Sequence, residues 1–173
     1  MQELPKRKQI RLRDYDYSQN GYYFVTICTQ NRKCVLCEIV GGGFHAAPNV
    51  ELKHIGNEIQ NTIQYINDNY NCVKIDNYVI MPNHIHLIIV LQNKEMGGHG
   101  NPQMGGHGNP PLQNVVGQLK SFTTKKYDNT LWQRGYYEHI IRNEQEYQKI
   151  YEYIENNPLK WADDKYYSMG DEK

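Results

Sequence analysis

Three places in this sequence carry residues that do chemistry when held together. In "MPNHIHLII", His84 and His86 stand one residue apart. In "YEYIENNP", Tyr153 and Asn157 stand four apart. "CVLC" places Cys34 and Cys37 at a spacing common in zinc sites, with Cys28 and Cys72 available to complete four ligands. Two histidines at i and i+2 of a strand share a face, so both reach one divalent metal from a single platform. A tyrosine and an amide at i and i+4 share a side of a helix. The amide oxygen suits a hard cation, and a tyrosine at the edge of the helix's apolar stripe can present its hydroxyl outside the core. Taken alone, each pair reads more simply: the histidines as polar residues on a solvated strand face, Tyr153 as packing, Asn157 as a frayed helix end before Pro158. The set of four in one chain shifts that balance. The cysteine reading is weaker, because residues three apart on a strand point to opposite faces.

The surrounding elements must position these groups. "GYYFVTICTQ" (21–30) is aromatic and β-branched and reads as a strand. "CVLCEIV" (34–40) reads as its partner across the turn "NRK". "GGGFHAAPNV" reads as a loop. The segment 51–70 has apolar residues at 52, 55, 59, 63, 66 and 70, one face of a helix. Strands are predicted over 72–81 and 84–92, joined at Pro82 and Asn83. In the second of these, Ile85, Leu87, Ile89 and Leu91 take one face; His84, His86, Ile88 and Val90 take the other. A helix is predicted over 114–127, capped by Asn114, and a strand over 131–141. The last helix, 144–157, opens with Asn143 and Glu146 in a capping-box spacing and ends at Pro158. Its apolar stripe is Tyr147, Ile150 and Ile154, with Tyr153 at the edge. Antiparallel strands with helices on one face give an α+β, ferredoxin-like two-layer fold with about five strands in the sheet. One domain spans 1–173. A twice-repeated Gly/His/Asn/Pro-rich unit within 95–111 reads as a loop insertion.

Composition narrows the function classes. The chain has 173 residues, 22% charged and with zero formal net charge, which argues against a general polyanion binder but allows a local basic stripe. Fifteen Tyr against three Phe supplies rings that stack on bases. Candidates for such a basic stripe are Arg11 and Arg13 in the N-terminal run, Lys120, Lys125 and Lys126 on the second helix, and Arg134 in "WQRGYY", although each run alone reads more simply as solvated surface. No leader and no membrane-length apolar run are present in the sequence, so the expected location is cytoplasmic.

"YDYSQNGYYFVTICTQNR", "YVIMPNHIHLIIV" and "LWQRGYYEHIIRNEQEYQKIYEYIENNPLKW" occur in that order. Together with H-x-H and the later tyrosine, they resemble the REP-associated tyrosine transposases, within the HUH single-strand DNA transposase superfamily. The resemblance implies a DNA transposition and recombination enzyme that nicks hairpin-forming single-stranded DNA. Tyr153 would be the nucleophile, forming a 5′-phosphotyrosine. His84, His86 and Asn157 would hold Mg2+ or Mn2+. Asn157 stands where related single-tyrosine enzymes often have Gln. Other tyrosines compete with Tyr153, namely Tyr147, Tyr151 and Tyr127. Neutral histidines are required for metal, so activity is expected to fall at acid pH. The implied partner is single-stranded DNA with hairpin ends, the protein acting as monomer or homodimer. Two other readings remain: a catalytically inactive or domesticated hairpin-binding protein, and a small zinc protein built on the cysteines.

Overall fold

The computed structural model describes residues 15–41, 48–92 and 111–167. Arg11, Arg13 and all of the expected insertion except Pro111 lie outside them. The chain runs β1 (Gly21–Cys28), β2 (Cys37–Val40), β3 (Asn49–Leu52), α1 (His54–Asn69), β4 (Val73–Met81), β5 (His84–Leu91), α2 (Leu112–Thr124), β6 (Tyr137–Ile141) and α3 (Glu144–Glu155). A short 3-10 helix, Pro158–Asp163, follows α3.

β4, β5, β1 and β6 form one antiparallel sheet in that order. Two strand–helix–strand units interleave to give it, which is the ferredoxin-like arrangement. The fold class is therefore as expected, with two differences. The sheet has four strands rather than about five. β2 does not pair with β1; it pairs with β3 in a separate two-stranded ribbon, Cys37 opposite Leu52. The reason lies in the link: Asn31 and Arg32 adopt φ of 54° and 55° and break the hairpin path. β3 falls where composition suggested only a loop running into a helix.

The second difference is that helices cover both faces. Ile85, Leu87, Ile89 and Leu91 face α1 and α2, sharing a core with Ile55, Ile59, Ile63, Val115, Val116 and Leu119. Ile88 and Val90 face α3 and pack with Ile154. β5 is consequently buried along its whole length. Each of those aliphatic side chains contributes about 1.5–3 kcal/mol on burial, so the strand carrying the histidines is a fixed platform.

α1 approaches the chain near Leu36 closely enough that a Cβ on Gly56 would sit 2.2 Å from the Leu36 carbonyl oxygen. Only glycine fits there. α2 begins three residues earlier than expected, with Pro111 rather than Asn114 at the cap position.

α3 is fixed at both ends. The Asn143 side chain accepts from the Glu146 backbone N–H at 2.9 Å, as the capping pattern predicted. The Glu146 carboxylate, however, turns to the Arg142 N–H and to His139. A bulge in the β4–β5 register at Asp76 coincides with a bond from the Tyr147 hydroxyl to the Asp76 carboxylate at 2.5 Å. At the far end, Asn77 Nδ2 donates to Glu155 at 3.2 Å. Tyr153 lies between these two anchors.

Candidate active site

The face of β5 turned toward α3 carries His84 and His86, which are 0% and 1% exposed. They do not stand on a solvated face. A polar group buried without a partner costs about 1–3 kcal/mol, so their partners matter. His84 Nδ1 lies 2.9 Å from Asn83 Oδ1. His86 Nδ1 lies 2.8 Å from the Thr26 hydroxyl, its neighbour across the β1–β5 ladder. The two Nε2 atoms face each other at 3.1 Å. Asn83 Nδ2 donates to the Tyr166 carbonyl at 2.7 Å, which turns Oδ1 toward His84. Oδ1 therefore accepts the His84 Nδ1 proton and leaves Nε2 with its lone pair. Thr26 can take a proton from His86 Nδ1 in the same way.

The Tyr153 hydroxyl lies 3.2 Å from His86 Nε2. Phe24 packs against both rings, stacked on His86 and edge-on to Tyr153. The Tyr153 side of α3 is open, 39% exposed, and lines a cleft of about 600 Å³. The rival tyrosines are placed elsewhere. Tyr147 is tied to Asp76. Tyr151 packs at a tilt against Tyr147, ring centroids 6.0 Å apart. Tyr127 packs against the α1–α2 core.

Asn157 lines the same cleft as Tyr153 and is 2% exposed. Its Nδ2 donates to Asp164 Oδ2 at 3.3 Å, while its buried Oδ1 has no hydrogen-bond partner among the described residues. The sequence reading missed Asp164. Its carboxylate and the two histidines offer ligand atoms that all lie within 4.8 Å of one another. Its only sequence signal was an acidic residue seven positions past Asn157, beyond the helix where ligands were sought. Two imidazole nitrogens and a carboxylate form a donor set that fits one divalent ion, and Asn157, hydrogen-bonded to that carboxylate, stands beside them.

Burial dominates the electrostatics. It lowers His84 to about 4, against a smaller upward pull from Asp164. His86 is driven well below its ordinary value by burial, then by His84. Burial and the Asp164 charge raise the Tyr153 phenol to about 12, with Asn157 pulling it back. Both histidines are thus neutral, as ligands must be, and Tyr153 is protonated at neutral pH.

The basic residues expected at DNA separate into groups. Lys120 is committed to three carbonyls, those of Gln133, Arg134 and Gly135. Lys125 and Arg134 are exposed, and with Lys120 they line a cleft of about 580 Å³. Lys126 instead lies 4.0 Å from Glu58. Among the described residues, no helix is long and apolar enough to cross a membrane.

No family model matches the chain. An uncharacterised protein of Haemophilus influenzae is 36% identical over 173 residues, covering 93% of each chain. The chain belongs to one family with that protein. A second Haemophilus influenzae protein, provisionally named a REP-associated tyrosine transposase, is 24% identical over 147 residues, covering 84% of this chain and 74% of its own. The solved structure of a REP-associated tyrosine transposase bound to a REP hairpin matches with a TM-score of 0.60 at 21% identity, covering 87% of this chain and 73% of that one. The resemblance drawn from the three sequence motifs is borne out.

Proposed function

We propose that this protein is a metal-dependent single-stranded DNA nicking and joining enzyme of the transposase type, acting on hairpin-forming DNA through Tyr153. The observation that carries this is the Tyr153 hydroxyl 3.2 Å from His86, whose ring shares a ligand cluster with His84 and Asp164, with the buried Asn157 amide in the same cleft. The hairpin partner is supported by the likeness to a transposase solved with a REP hairpin.

The residues act as follows. His84, His86 and Asn157, together with Asp164, would hold Mg2+ or Mn2+; when bound, that ion supplies charge stabilisation at the scissile phosphate. Asn83 and Thr26 hold the imidazole Nδ1 atoms and turn both Nε2 atoms to the same point. Phe24 keeps the inner side of Tyr153 dry, and the open cleft admits the strand. Tyr153 Oη attacks phosphorus: an O–P bond forms to the tyrosine, the bond to the 3′-oxygen breaks, and the phenolic proton is lost to solvent while the 3′-oxygen gains one. The product is a 5′-phosphotyrosine with a free 3′-OH. Because the phosphodiester energy is kept, attack by a 3′-OH reverses the step and joins strands without ATP.

The test is incubation of labelled REP-type hairpin DNA with wild type and Tyr153→Phe, each with Mn2+ and with EDTA, on denaturing gels that retain adducts. A metal-dependent adduct lost in Tyr153→Phe is expected. Hairpin binding with no adduct in any metal would overturn the enzyme reading in favour of a binding protein.

A further inference from the structure

The cleft beside Tyr153 is formally neutral in its lining. Lys149, Lys160 and Lys165 are balanced by Glu152, Asp163 and Asp164. A polyanion gains little from such a surface, since affinity for a nucleic-acid backbone comes from an excess of cations. The second cleft, between α2 and the segment entering β6, differs. It is lined by Lys120, Lys125 and Arg134 with the hydroxyls of Ser121 and Thr124, and among the described residues no carboxylate lines it. Lys120, tied to the carbonyls of Gln133, Arg134 and Gly135, holds the Arg134 backbone against α2. The cleft is thus a built cradle of donors and positive charge.

Consecutive residues at the edge of the sheet line the two clefts. Among the described residues β6 is the outer strand, paired with β1. Tyr136 lines the basic cleft and packs against the α1–α2 core. Tyr137, the next residue, lines the Tyr153 cleft and is 41% exposed. Consecutive residues of an extended chain point to opposite sides, so this Tyr-Tyr pair carries one ring to each cleft. Exposed tyrosine rings are stacking platforms for bases.

We propose that the basic cleft holds the sugar–phosphate backbone of the same DNA molecule whose scissile phosphate reaches Tyr153, the strand passing round the β6 edge past Tyr136 and Tyr137. This deepens the function proposed above and rests on it. The nucleophile cleft supplies chemistry, and the α2 cleft supplies affinity.

The experiment is fluorescence anisotropy with fluorescein-labelled hairpins whose single-stranded flank is lengthened one nucleotide at a time, in parallel 5′ and 3′ series. Wild type, the double variant Lys125→Ala/Arg134→Ala, and Lys126→Ala are compared across a salt range. Lys126 shares α2's C-terminal end but not the cleft, so it reports general charge loss. All three positions are exposed, and the fold should be kept. Wild type should tighten as one flank grows past a threshold length. The double variant should lose that gain, bind the shortest hairpins as wild type does, and show a salt slope shallower by about 1 for each cation removed. Lys126→Ala should follow wild type. A double variant that keeps the full gain, or a Lys126→Ala that loses as much, would overturn the path. Wild type that forms the Tyr153 adduct while the double variant is unchanged in binding sinks this inference alone. Wild type that neither binds nor cuts sinks the functional reading and this one with it.

Discussion

Asn83 sets the proton of its neighbour His84. Its Nδ2 is spent on the Tyr166 carbonyl at 2.7 Å, so its oxygen faces His84 Nδ1 at 2.9 Å and accepts there. The His84 Nε2 lone pair is thereby turned toward His86 Nε2, 3.1 Å away. Thr26 serves His86 from the adjacent strand. Two second partners, one on the turn and one across the ladder, thus aim two imidazoles at one point.

Removing such a partner should be felt as affinity rather than as folding. Thr26→Val keeps a β-branched residue of similar size in β1 but takes the partner from His86. Mn2+ affinity, read by calorimetry, should weaken roughly 10–100-fold. Unchanged affinity would show that the Thr26 bond does not orient the ring.

Asp164→Asn removes the carboxylate that, among the described residues, clusters with both histidines. Mn2+ binding followed by the loss of free-ion paramagnetic resonance signal should weaken by at least roughly 10-fold. The same variant should lower the Tyr153 phenol, since the Asp164 charge helps raise it. Affinity equal to wild type would leave Asp164 out of the site.

Stability should depend on pH through His84. Unfolded, its imidazole takes a proton near 6.5; folded, only near 4. Between those values the unfolded chain holds more protons, so stability is complete above about 6.5 and falls as pH drops toward 4. The loss at pH 5 should be on the order of 2 kcal/mol from this residue. Urea unfolding of wild type and His84→Gln at pH 7 and 5 isolates it, and equal pH sensitivity in both would contradict the account. The same burial moves the acid limit on metal binding below the value that unperturbed histidines would set.

Gly56→Ala should destabilise the fold by about 1–3 kcal/mol, because its Cβ would press on the Leu36 carbonyl and force α1 outward. Urea unfolding measures this directly. A wild-type midpoint would mean that the contact relaxes freely.

Much of this was legible in the sequence. The alternation of "HIHLIIVL" named both faces of β5, and the 3–4 spacing named the buried faces of α1 and α2. The Asn143 cap and the Tyr153 edge position also followed from helix periodicity. What was not legible depended on long-range pairing. β2 left β1 for β3 because two left-handed residues redirected the chain, and hydrophobic pattern does not record a turn's handedness. Asn83 read only as a turn residue, since its role needs Tyr166, 83 positions away. Asp164 was invisible because a short 3-10 helix after Pro158 folds it back onto the site. The histidines' burial was missed because α3's coverage of that face is a tertiary fact.

The most direct test of the central claim is to locate the covalent bond. Wild-type protein is reacted with hairpin DNA and Mn2+, digested with nuclease and protease, and the nucleotide-bearing peptide is sequenced by mass spectrometry. The account predicts a 5′-linked nucleotide on Tyr153, within "YEYIENN". A nucleotide on Tyr147, Tyr151 or Tyr127, or a cleaved strand with no protein attached, would contradict it.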